Sequence, residues 1–253
     1  MVQPILEVKH LTKTFGVRGK EKLTAVNDVS FFLNQGETLG IVGESGSGKS
    51  TLVRAVARLT DVTSGEILLN GKDITHLKGK DLRQIYRHFQ MIFQSPASSF
   101  DPRRRLGESI GESLKNIGWS REKTQARVKE LLIQCGLSPE YANCYPHQVS
   151  GGQCQRAAIA RALAISPKLL ICDEATSALD VTVQKQVIEL LDRLRQEQGI
   201  AYLFICHNLD LVQQFCHRVL VMKDGKIVEE GTPEEVILHP KHSYTRQLVE
   251  AVI

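Results

Sequence analysis

Three stretches of this chain carry residues whose types and spacing could do chemistry. GESGSGKST, Gly43 to Thr51, places four residues between Gly43 and Gly48, Gly46 among them, with Lys49-Ser50-Thr51 directly after. Glycine lets a backbone approach an anion closely, so Gly43, Glu44, Ser45, Gly46, Ser47 and Gly48 form a candidate loop whose N–H groups turn inward. Lys49 then reaches the β- and γ-phosphates of ATP, the Ser50 hydroxyl ligates Mg2+, and Thr51 completes the candidate phosphate contacts. A chance glycine-rich turn is a poor rival, because TLGIV before the loop reads as a buried strand and TLVRAVARL after it as a helix.

KLLICDE, Lys168 to Glu174, is an apolar strand ending in two adjacent carboxylates. Charge is costly at a buried strand tip, so the pair points to a cation or a reaction. Asp173 acts through the metal shell, and Glu174 orients and partly deprotonates an attacking water. A helix cap would explain such acids in isolation, but not beside a phosphate loop.

The third stretch is VSGGQ, Val149 to Gln153. Ser150 is a good N-cap, and Gly151 and Gly152 leave the first N–H groups of the following helix open, with Gln153 beside them. Two consecutive glycines at a helix start cost roughly 1 kcal/mol each relative to alanine, so an ordinary cap does not account for them. With Lys49 already holding one nucleotide, the natural user of this second anion site is a nucleotide on another subunit.

Two single residues join the set. His207 ends the strand pattern AYLFICH, at the carboxyl edge where open parallel sheets bind ligands, and can touch a γ-phosphate oxygen or be merely structural. Gln94 ends QMIFQ, an expected strand, and its amide oxygen can ligate Mg2+ or hold a water; a polar residue at a strand exit explains it equally well.

The elements that must position these groups follow from the apolar pattern. ILEVKHL, AVNDVSFFL, TLGIVG and GEILLN read as short strands, whereas residues from about 95 to 165 read as mostly helical, Arg121 to Gly136 most clearly. After that, apolar strands alternate with helices, which implies a parallel sheet covered on both faces. The expected fold is α/β: a P-loop NTPase core of parallel sheet flanked by helices, with an antiparallel β subdomain and an inserted α-helical subdomain. As one domain over residues 1–253, it divides into a core at about 1–94 and 166–253 and a helical part at about 95–165.

Composition supports a globular chain, with 42% hydrophobic and 24% charged residues. The net charge of +4 is too weak a bias to argue for nucleic acid. No apolar run reaches the roughly 18 residues of a membrane helix, and no signal-peptide pattern opens the chain, so a cytosolic location is expected. The six cysteines lack paired spacing and read as free thiols. The run Arg103-Arg104-Arg105 is either a solvated basic turn or a contact with membrane subunits or lipid head groups.

Taken together, GESGSGKS, Gln94, VSGGQ, LLICDE, SALD (Ser177 to Asp180) and His207 resemble, in order and spacing, the ATP-binding subunits of ABC transporters. The resemblance covers essentially the whole chain. It implies a Walker A loop, a Q-loop Gln94, a signature sequence, a Walker B strand with catalytic Glu174, a D-loop with Ser177 and Asp180, and a switch His207. It also implies that Phe15, in LTKTFG, stacks on adenine. FQSPASSFDPRRRLGESIGESL, YPHQVSGGQ and HPKHSYTRQLVEAV are further similar to the peptide and nickel importer branch. That implies a head-to-tail dimer with a second ATPase subunit, identical or homologous, two transmembrane permease subunits, an extracytoplasmic binding protein, and a peripheral place on the cytoplasmic face of the cell membrane. Val149, Phe15 and Asn208 depart mildly from the family's leucine, tyrosine and aspartate. Two rivals are a non-transport ABC ATPase acting as a mechanical module, and a module that binds ATP without hydrolysing it.

Overall fold

The computed structural model describes residues 3–16, 22–95, 97–177 and 179–251. Strands β1 (Leu6–Phe15) and β2 (Leu23–Leu33) pair antiparallel, then β3 (Thr38–Val42) leads into helix α1 (Lys49–Val56). After β4 (Ser64–Leu69) and the two-residue β5 (Lys72–Asp73), α2 (Gly79–Ile85) precedes β6 (Phe89–Ile92). Four helices follow without an intervening strand: α3 (Leu106–Ile110), α4 (Glu112–Asn116), α5 (Arg121–Gln134) and α6 (Gly151–Leu163). The chain then alternates through β7 (Leu169–Asp173), α7 (Val181–Gln198), β8 (Ala201–Ile205), α8 (Leu209–Phe215) and β9 (Arg218–Lys223). It closes with β10 (Lys226–Gly231), α9 (Pro233–Leu238) and α10 (Ser243–Glu250).

Two sheets result, one ordered β2-β1-β4-β5 and entirely antiparallel, the other ordered β10-β9-β3-β8-β7-β6. The larger sheet is parallel except for its edge strand β10. Its central strands β3, β7 and β8 are buried along their whole length because both faces are covered, and the period of two divides their apolar residues between the faces. Leu169, Ile171, Leu203 and Ile205 pack with α1 and the antiparallel sheet, whereas Leu170, Cys172, Tyr202 and Phe204 pack with the helical segment and α7.

The helical segment is held by ordinary amphipathic packing. In α5, Ser120 caps the start by accepting the N–H of Lys123 at 3.3 Å, and Val128, Leu131 and Leu132 are buried. Cys135 closes the helix, and Gly136 at φ 72 turns the chain in the left-handed conformation that glycine adopts without strain.

One expectation shifts. The strand expected to run to Gln94 stops at Ile92, opposite Cys172, so Gln94 lies outside the ladder and its side chain is free to turn toward β7. The basic run is locally paired: Arg103 with Asp101 at 3.1 Å and Arg104 with Glu112 at 2.9 Å, while Arg105 lies 5.9 Å over the Tyr145 ring. All six cysteines are free thiols, and burial pushes the Cys135 and Cys172 thiols up to about 12. No described helix is long and apolar enough to cross a membrane.

Candidate functional site

The phosphate loop spans the gap between β3 and α1, and its backbone can be built only from glycine at two points. A Cβ on Gly43, at φ 147, would collide with the Met222 carbonyl, and one on Gly48, at φ 105, with the Ala25 carbonyl. The loop therefore wraps tightly into the first turn of α1, whose leading N–H groups at Lys49, Ser50 and Thr51 have no intrahelical acceptor. Lys49 is buried. Its ammonium donates to the carbonyls of Gly43 at 2.8 Å and Glu44 at 2.7 Å and to the Ser47 hydroxyl at 3.3 Å. Burial pulls its pKa below the usual lysine value, against the opposing pull of the Glu174, Asp173 and Glu44 carboxylates. Glu44, Ser45 and Gly46 form the exposed rim of the loop.

Asp173 stands behind this loop at the end of β7, 5% exposed, and accepts the Ser50 hydroxyl at 3.2 Å. Burial raises its pKa; the Ser50 bond and nearby Arg54 only partly oppose that. A buried carboxylate beside a hydroxyl, with no cation in hydrogen-bonding contact, is an oxygen-donor pair that fits Mg2+.

The chain leaves β7 through Glu174, a non-glycine residue at φ 51. Such a left-handed turn costs on the order of 1–3 kcal/mol and persists where the surroundings enforce it. Here the N–H and hydroxyl of Ser177 both bond the Glu174 carbonyl, at 3.1 and 3.0 Å. The kink carries the Glu174 carboxylate between two partners. Gln94 Nε2 donates to Oε2 at 2.7 Å, and His207 Nε2 is hydrogen-bonded to Oε1. With its NH2 thus engaged, Gln94 has its amide oxygen free to meet a metal or a water. Glu174, Ser177, Cys206 and His207 line a cleft of about 380 Å3.

Asn208, directly after His207, caps α8 by accepting the N–H groups of Asp210 at 2.9 Å and Leu211 at 3.3 Å. Asparagine performs this task as well as aspartate, which accounts for the departure from the family pattern.

VSGGQ opens α6 with a reciprocal cap. Ser150 Oγ accepts the Gln153 N–H at 3.3 Å, Gln153 Oε1 accepts the Ser150 N–H at 2.9 Å, and Gln153 Nε2 reaches the Tyr141 hydroxyl at 2.7 Å. Ser150 and Gly151 are exposed. The two glycines differ. A Cβ on Gly152 would sit 2.6 Å from Val183 Cγ1 of α7, so packing within the chain already requires that glycine. Gly151 would meet only Leu179 Cδ2 at 3.8 Å, an ordinary contact, and is the one the local structure does not demand.

The structure thus joins Lys49, Ser50, Asp173, Glu174, Gln94 and His207 into one polar centre, and leaves VSGGQ bonded to its own helical segment. Asp180 caps α7 through the Val183 N–H at 2.9 Å; Ala178 of SALD lies outside the described residues. Phe15 ends β1, 40% exposed, with Lys13 Nζ 4.8 Å over its ring. Two contributors were not foreseen from sequence. Gln184 Nε2 braces the carbonyls of Thr176 and Leu179, at 2.9 and 3.1 Å, and the Tyr244 hydroxyl accepts the Glu44 N–H at 2.9 Å. Tyr244 is 200 positions from Glu44, and no local pattern could connect them.

Against known proteins, residues 26–177 match the family described as ABC transporter. The chain is 45% identical over 258 residues to the dipeptide transport ATP-binding protein DppF of Lactococcus lactis, covering 100% of this chain and 83% of that one. It is likewise 45% identical to the oligopeptide transport ATP-binding protein OppF of Salmonella typhimurium, covering 98% and 77%. Among solved structures, the ATP-binding cassette MJ0796, a dimer bound to ADP and Pi, superposes with a TM-score of 0.83 at 31% identity, covering 90% of this chain and 98% of that one.

Proposed function

Because this chain belongs to the ABC transporter family, as an ATP-binding subunit that hydrolyses ATP, we infer that it powers an importer of the peptide class. Peptides are preferred over nickel or metal chelates because both relatives described above are named for peptide transport. The reading places the chain on the cytoplasmic face of the membrane, with a second ATPase subunit, two permease subunits and an extracytoplasmic binding protein.

The observation that carries the catalytic reading is the Glu174 carboxylate held by Gln94 on one oxygen and His207 on the other, beside the Ser50–Asp173 pair. In this mechanism Lys49 and the loop N–H groups other than that of Glu44, which Tyr244 holds, bind the triphosphate, Lys49 exchanging its carbonyl partners for phosphate oxygens. Ser50, Asp173 and Gln94 would hold Mg2+, which when bound would neutralise phosphate charge. Glu174 orients the attacking water and takes up its proton as the water oxygen bonds the γ-phosphorus and the bond from that phosphorus to the β–γ bridging oxygen breaks, releasing ADP and phosphate. His207 fixes Glu174 in place and faces the γ-phosphate, and Phe15 exchanges its Lys13 contact for the adenine ring. Ser150, Gly151, Gly152 and Gln153 receive the nucleotide of the facing subunit, with Ser177 and Asp180 lining the same interface.

Phosphate release by Glu174→Gln tests the core of this. Turnover falls by roughly 10²-fold or more, as for loss of a positioned base, while ATP binding persists. Turnover equal to the parent's would remove Glu174 from the reaction. Capture of permease subunits by the tagged chain separates transport from the mechanical-module alternative, which has no membrane partner.

A further inference from the structure

Gly43 and Glu44 share a peptide unit whose two polar groups are both engaged. Its N–H, that of Glu44, donates to the Tyr244 hydroxyl at 2.9 Å, and its carbonyl, that of Gly43, accepts from Lys49 Nζ at 2.8 Å. One plane of the phosphate loop is therefore gripped from both sides. On one side is the ammonium that must reach the phosphates; on the other is a phenol fixed in the core. Gly43, at φ 147, has the rotational freedom of glycine, so without these partners the plane has other orientations available.

Tyr244 itself is pinned with little slack. It is 3% exposed, and Lys223 Nζ lies 4.6 Å over its ring. Its N–H goes to His242 Nδ1 at 3.1 Å. The Glu229 carboxylate of β10 accepts the N–H groups of Lys241 at 2.8 Å and His242 at 3.0 Å, fixing the turn into α10. Burial raises the phenol pKa, so the group stays a neutral hydroxyl throughout the neutral range.

We propose that Tyr244 is a positioning residue of the nucleotide site, reaching from the C-terminal helix to set the phosphate loop in the orientation that receives the triphosphate. This rests on the reading of that loop as the ATP site. Tyr244→Phe keeps the ring and its packing and deletes only the hydroxyl, stranding the Glu44 N–H. The expected result is a roughly three- to tenfold rise in Kd for ATP and ADP and in KM, as for a donor left unpaired. The kcat stays within about twofold, because the groups around Glu174 are untouched.

A double-mutant cycle separates this from packing. Glu44→Pro removes the N–H itself, so Tyr244→Phe added to it produces no further loss; in Glu44→Ala, which keeps the N–H and removes only the carboxylate, the full loss remains. Unchanged Kd and KM in Tyr244→Phe would overturn the proposal. So would an equal loss in the Glu44→Pro background, or a fall in Tm and kcat with Kd unaltered. If the parent chain binds neither ATP nor ADP, it is the nucleotide-site reading that fails, and this inference with it.

Discussion

At the scale of single residues, Asp173 carries a charge that burial penalises and that the proposed metal site would use. Its carboxylate is buried against Ser50, and burial lifts its pKa above the ordinary carboxylate value. The sign of the pH dependence follows. A raised folded-state pKa means that the group's stabilising contribution is present below the unfolded value of about 3.9 and is lost as pH rises through the folded value. At neutral pH the charged form therefore works against the fold. Asp173→Asn should raise the Tm of the nucleotide-free protein at pH 7, by roughly 2–4 °C for each kcal/mol of relieved penalty, and abolish Mg2+-dependent ATP binding. Thermal melts across pH check this: the gain shrinks as pH falls toward 4, where the parent residue takes up its own proton. A variant that melts lower than the parent at pH 7 would mean that burial is not what penalises Asp173.

At the scale of elements, the two glycines at the start of α6 have parted company, and substitution can show it. In Gly152→Ala the new methyl meets Val183 of α7 at 2.6 Å, an overpacking expected to cost about 1–3 kcal/mol and to lower Tm. In Gly151→Ala the methyl meets only Leu179 at 3.8 Å, and alanine favours a helix by about 1 kcal/mol over glycine, so Tm holds or rises. The same Gly151 variant places a methyl over the exposed N–H groups and should cut ATPase activity at least tenfold, the loss of an anion contact. Full activity in Gly151→Ala would leave α6 with an ordinary cap. The pair also marks where sequence stops being informative. Motifs whose meaning is local, such as the phosphate loop, the strand ending in Asp173 and Glu174, and the Ser150 cap, could be read from residue order because their geometry is set within a few residues. The close approach of Val183 to Gly152, the bracing by Gln184 and the end of β6 at Ile92 depend on which segments meet in space. Tyr244 is the extreme case, since the contact that gives it a role lies at the other end of the chain.

At the scale of the molecule, the site is asymmetric. Lys49, Ser50, Asp173, Glu174, Gln94 and His207 converge on one polar centre, while the hydrogen bonds of Ser150 and Gln153 run to each other and to Tyr141. A γ-phosphate held by Lys49 leaves its outer oxygens for another donor set, and a second chain turned head to tail would bring its own α6 N-terminus there. Two nucleotides would then be shared between two loops and two caps, and one chain would have a use for both. Glu174→Gln isolates this step, because it retains binding while slowing the reaction that would dissolve the assembly. Light scattering of that variant should give the monomer mass without nucleotide and twice that mass with ATP and Mg2+, while added Gly151→Ala returns the monomer. A monomer that nonetheless binds ATP would show that two identical copies do not close on each other, and would assign the opposite half of each site to a different ATPase chain. Tyr244 would still matter in that case, since it acts on the loop within one subunit and not across the interface.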